Sequence, residues 1–174
     1  MTPTARKLVF TAHVTSSIGW FGAVSAFLAL AIAGLTCQDS MQVRAAYLAM
    51  QWTTWFVVVP FACLSLVSGV VSSLTSRWGL VHYYWVLLKL LVTLFATLVL
   101  LVHTQPIDLL ASVAAKAPAL SPDLHGARIM MVTAGGGALV VLIVLTVLSV
   151  YKPRGTTRYG ARQLQGSRAA TMPQ

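Results

Sequence analysis

Most of this chain consists of apolar runs about twenty residues long or longer, with polar residues confined to short breaks between them. The runs are approximately Leu8–Leu35, Ala45–Leu74, Tyr83–Val102 and Ile129–Tyr151. A hydrocarbon core of about 30 Å takes roughly 20 helical residues to cross. A helix also satisfies its own backbone hydrogen bonds where no water is available. The pattern therefore predicts an all-α fold, a four-helix transmembrane bundle occupying residues 1–151. Pro60 lies inside the second run and predicts a kink there. Arg6 and Lys7 give the first run a positive start, but it is about twice the length of a signal-peptide core. It reads as a retained helix.

The polar residues inside the runs fall on stripes. His13, Ser16, Ser17 and Trp20 share one face of the first helix. Ser65, Ser68 and Ser72 do the same in the second, and Thr146 and Ser149 in the fourth. In the third, His82, Trp85, Lys89, Thr93, Ala96, Leu100 and His103 follow one stripe, while the other faces are Leu, Val and Phe. That stripe is expected to face the bundle interior.

Lys89 is the one charged side chain in these runs, and a charge at a helix centre costs roughly 2.5–3.5 kcal/mol on insertion scales. His13 and Lys89 each begin five or six residues inside helices that enter from the same side, roughly 8–10 Å deep. Lys89 is expected either to meet a polar partner or to extend its stem toward the headgroups. For His13 the alternatives are a ligand role or a hydrogen bond to a serine or carbonyl of a neighbouring helix. His82 lies beside Trp78, Tyr83, Tyr84 and Trp85, a normal interfacial belt.

Composition agrees with the pattern. The 174 residues are 57% hydrophobic and 9% charged, against about a quarter charged in soluble domains. There is no Glu, and the three acids are Asp39, Asp108 and Asp123, all in breaks between runs. A membrane-embedded carboxylate relay and a Ser–His–Asp triad at one depth are thereby excluded. Gly135–Gly137 lies within the fourth run and is no phosphate loop. Cys37 and Cys63 lie at different depths and read as small apolar helix residues, with no disulfide between them.

The net charge of +9 follows topology. Arg6, Lys7, Arg77, Lys152, Arg154, Arg158, Arg162 and Arg168 fall on one side, with Arg44, Lys116 and Arg128 on the other. The positive-inside rule then predicts that both termini are cytoplasmic. The basic stretch 152–174 is expected to be disordered and to meet anionic lipid headgroups rather than nucleic acid.

The break between the third and fourth runs contains Pro106, Pro118 and Pro122. Ile107–Lys116 predicts a short interfacial helix. Ser121-Pro122-Asp123 predicts a helix start with His125 in its first turn. His103, Asp108, Asp123 and His125 could converge here on a transition metal such as zinc or copper(II), or could simply be hydrated loop residues.

One pattern resembles a known group. Ala12-His13 followed by Trp20-Phe21-Gly22, then Pro60, Gly69 and Trp85-Val86-Leu87-Leu88-Lys89-Leu90, is similar to small bacterial membrane proteins around copper-resistance D and the HemJ-type protoporphyrinogen oxidases. The resemblance covers residues 8 to 103. It implies haem b or another tetrapyrrole tied to His13 and Lys89, in a bacterial cytoplasmic membrane. On that basis Trp20 and Trp85 would pack on the ring, with His82 the nearest second histidine. Leu30-Ala31-Ile32-Ala33-Gly34 lacks the Arg and His of the HemJ pattern, and the connection that follows is short. The wider fold group is therefore implied more strongly than the oxidase reaction. Two function classes stand side by side. One is a redox protein holding a tetrapyrrole. The other is a non-catalytic accessory subunit, partnered or homo-oligomeric, or a small-solute or metal-handling protein.

Overall fold

Thr2 opens the first helix by accepting a hydrogen bond from the Ala5 amide at 3.3 Å, with Pro3 in the first turn, where its missing N–H costs nothing. The computed structural model describes residues 2–75, 84–118 and 120–151. Its helices are α1 (Pro3–Thr36), α2 (Ser40–Thr53), α3 (Val59–Thr75), α4 (Tyr84–Lys116) and α5 (His125–Tyr151). A π-helical turn, Thr54–Val58, joins α2 to α3, so the two form one span. Among the described residues, four helical stretches are long and apolar enough to cross a membrane, and none is a strand. The protein is a polytopic, four-span helical membrane protein. His82, Arg77 and the tail 152–174 lie outside the described residues, as does the side chain of Trp85.

The helices run longer than the apolar pattern predicts, for local reasons. Asp39 accepts the Met41 amide at 3.0 Å and starts α2 at Ser40, five residues before the apolar run. Pro60, where the sequence predicts a kink, stands just after the π-helical turn. Its ring would strike the Phe56 carbonyl in a regular helix, and the widened π turn just before it relieves that clash.

The separate helix expected over Ile107–Lys116 is instead the end of α4, which continues through Pro106. An interior proline costs roughly 3 kcal/mol. Ile107, Leu110, Ala111 and Ala114 are all buried beyond it. At roughly 1.5–3 kcal/mol per large apolar side chain, Ile107 and Leu110 alone offset the proline. The long break shrinks accordingly. Ser121 closes a 3₁₀ turn, Pro122–Leu124, that leads into α5 as expected.

Two apolar clusters stack along the bundle. One, nearer the interhelical loops, joins Phe27, Tyr47, Met50, Ile107, Leu110 and Met131. The other, nearer the middle, joins Trp20, Val24, Val58, Ala62, Leu142 and Leu145. At the loop end Arg128 binds the whole together. Its guanidinium donates to the Gly34 carbonyl at 2.6 Å, the Leu35 carbonyl at 3.4 Å and the Tyr47 hydroxyl at 3.3 Å. It thus satisfies last-turn carbonyls of α1 and favourably meets that helix's negative end. Arg44 does the same for α4, donating to the Ala114 carbonyl at 2.6 Å.

Gly34 allows this junction because Tyr47 lies against it. A Cβ at Gly34 would come within 2.7 Å of the Tyr47 ring, while one at Gly22 would meet nothing within 4 Å. Gly34→Val is expected to cost about 1–3 kcal/mol through overpacking. Gly22→Ala is expected to be neutral or slightly stabilising. Thermal unfolding in mild detergent checks the contrast, and equal midpoints for the two variants would refute it.

Candidate functional site

The small residues of α1 and α3 let these helices meet closely, and the polar stripes face each other across the seam. The His13 Nδ1 lies 3.1 Å from the Ser65 carbonyl and 3.3 Å from the Ser68 hydroxyl. Ser17 and Ser65 share a hydrogen bond of 2.9 Å, and Ser16 lies 3.4 Å from Ser68 while donating to the His13 carbonyl. The imidazole rests on Gly69, where a Cβ would approach its Cε1 to 3.0 Å. A carbonyl can only accept, so Nδ1 carries the proton in the neutral ring and Nε2 keeps its lone pair.

Lys89 reaches across to α5. Its ammonium donates to the Ser149 hydroxyl at 2.6 Å, and that hydroxyl in turn donates to the Leu145 carbonyl at 2.6 Å. The charge thus has a fixed acceptor inside the bundle. The stripe expected on this helix does face inward: Lys89, Ala96, Leu100 and His103 are half-buried and Thr93 is buried. Leu88, Leu91, Phe95 and Leu98 are on the outside.

Beyond this polar layer lies a cavity of about 300 Å³. Trp20 and Phe27 of α1, Ala96 and His103 of α4, and Gly135 and Ala138 of α5 are among its walls. Among its lining residues only His103 and Trp20 carry a side-chain nitrogen or oxygen. Phe95, Val99 and Gly137, also in the lining, are exposed on the bundle surface, so the cavity communicates with the surroundings between α4 and α5. His103 is held as His13 is: its Nδ1 lies 2.8 Å from the Val99 carbonyl one turn back, leaving Nε2 as the lone pair.

The four residues read as a possible metal set do not assemble. The Asp108 carboxylate accepts from Gln51 at 2.7 Å and from the Trp55 indole at 3.0 Å. Asp123 is engaged with Ser121, and His125 is exposed in the first turn of α5. Among the described residues no three His, Cys, Asp or Glu come together to hold a metal ion. Of the predicted tetrapyrrole contacts, Trp20 lines the cavity while His13 and Lys89 lie in the polar layer below it.

The reading from sequence missed three features. Ser149 could have been paired with Lys89 from their shared depth. Gln51 and Trp55 meeting Asp108, and Arg128 meeting Gly34, depend on helix rotation, which no spacing in this chain announces. Compared with family models, curated proteins and solved structures, the chain has no match.

The Lys89–Ser149 pair yields a double-mutant test. Ser149→Ala is expected to destabilise by about 1–3 kcal/mol, because it strands a buried donor. In a Lys89→Met background, where no charge needs an acceptor, the same change is expected to cost little. Additive effects on detergent unfolding would mean that Lys89 satisfies itself elsewhere.

Proposed function

We propose that this four-span membrane protein binds a lipid-soluble, largely apolar small molecule between its helices, as a small-solute-handling protein rather than by covalent chemistry. The observation that carries this reading is the cavity between α1, α4 and α5. Protein interiors are close-packed and tolerate few voids. About 300 Å³ is at the lower edge of small-molecule sites, which run roughly 300–1,000 Å³. Its opening between α4 and α5 suits a ligand arriving from the bilayer. Gly137 borders it, and a Cβ there meets nothing within 4 Å. Gly137→Leu therefore starts its side chain into open space beside the cavity and replaces a weak helix former with a strong one. An apolar fluorescent probe is expected to bind the wild type saturably in nanodiscs and Gly137→Leu about tenfold more weakly, roughly 1.4 kcal/mol. Equal binding by the two proteins would defeat the proposal.

A second reading, a redox protein holding haem b or another tetrapyrrole, is favoured by one observation. Both His13 and His103 are anchored through Nδ1 to a backbone carbonyl, with Nε2 left as the lone pair. That is the arrangement an iron-ligating histidine needs. When bound, such a group would supply one-electron chemistry. The fit is uneven. Lys89 is engaged by Ser149 and is not free for a propionate, and the cavity adjoins His103 rather than His13. A visible spectrum with and without dithionite tests it. A Soret band lost in His13→Ala supports the family-type ligand, and one lost in His103→Ala moves the ligand to the cavity. A colourless, stable protein from haem-replete cells ends the reading.

The charge asymmetry supports cytoplasmic termini. The resemblance supports a bacterial cytoplasmic membrane. The basic tail, outside the described residues, would then face anionic headgroups.

A further inference from the structure

The cavity is apolar, yet Trp20 and His103 in its lining are complementary in kind: the indole N–H of one and the Nε2 of the other have no partner among the described residues. Trp20 is 4% exposed, lines the cavity, and has no hydrogen-bond partner among the described residues. A buried indole N–H without an acceptor is costly. His103 offers the opposite function: with Nδ1 donating to Val99, its Nε2 can only accept in the neutral ring. A ligand that satisfies both must present an acceptor to Trp20 and a hydroxyl to His103. Between them it must be apolar and thin enough to lie against Phe27, Ala96 and Gly137 of α5.

We infer that the occupant of this cavity is a lipid-soluble aromatic diol of the hydroquinone class, oriented by Trp20 and His103. The inference rests on the cavity being a ligand site. A phenolic oxygen can accept from the indole while another donates to the imidazole. An alkyl or prenyl substituent continues through the opening between α4 and α5 into the hydrocarbon. Acyl chains of ordinary lipids fill apolar space equally well but leave both polar groups unpaired. An oxidised quinone or an ether can accept from Trp20 but has no proton for His103. The reduced, hydroxylated form is therefore the one the site selects.

The test uses the full chain in nanodiscs and titrates two probes by calorimetry: an alkyl hydroquinone kept reduced under argon, and its dimethyl ether. The hydroquinone is expected to bind about tenfold more tightly than the ether, as one buried hydrogen bond warrants. His103→Leu is expected to abolish that difference while leaving ether affinity unchanged, and Trp20→Phe to weaken both probes. Gly137→Leu is expected to weaken both as well. Equal wild-type affinities, or a preference that survives His103→Leu, overturn the inference; if Gly137→Leu still blocks binding, the cavity remains a ligand site. Failure of both probes to bind the wild type overturns both readings. Should His103→Leu fail to fold, the wild-type comparison of hydroquinone with ether decides alone.

Discussion

Within hydrocarbon a polar side chain has no water to turn to, so each one must find its partner inside the protein, and those partnerships hold this bundle in register. The clearest is the seam between α1 and α3. There His13 meets a carbonyl and a serine hydroxyl on the facing helix, and Ser17 pairs with Ser65. Because lipid tails are as apolar as leucine, burying leucine provides little force to bring two spans together. Close backbone approach and hydrogen bonds across the seam supply it instead. Lys89 obeys the same constraint across α4 and α5, where Ser149 gives its charge a place to rest.

At the loop end the logic changes. The helices project past the apolar runs, and their extensions build a core around Tyr47, Met50, Leu110 and Met131. Arg44 and Arg128 each end on backbone carbonyls at a helix terminus. Charges that look in sequence like ordinary loop cations are helix caps. Asp108 likewise is the acceptor that joins Gln51 and Trp55 to α4 rather than a free carboxylate. One end of the molecule is held by polar pairs in an apolar medium, and the other by an ordinary hydrophobic core. The cavity lies between these two zones.

That position explains why the cavity escapes the sequence pattern. Gly135, Gly136 and Gly137 read simply as residues that let helices approach. Gly135 does so, pressed against Phe27, but Gly136 and Gly137 have open space before them. The same residue type in three consecutive positions closes one gap and leaves another open, because successive helix positions point about 100° apart. His103 was visible as the end of the third-helix stripe, but its meaning came from the empty space beside it.

The sequence by itself determined the class of protein, the four spans and the faces of their helices. Hydrophobic length and a 3.6-residue period are local properties, and the bilayer reads them directly. It also placed His13 and Lys89 at one depth, since depth is a matter of counting residues. Which polar groups then meet was decided only by the tertiary structure. His13 turned to Ser65 and Ser68, Lys89 to Ser149, and Asp108 to Gln51 and Trp55. Those choices depend on the rotation and approach of whole helices. They are set by the summed packing of residues far apart in the chain, which no local pattern contains.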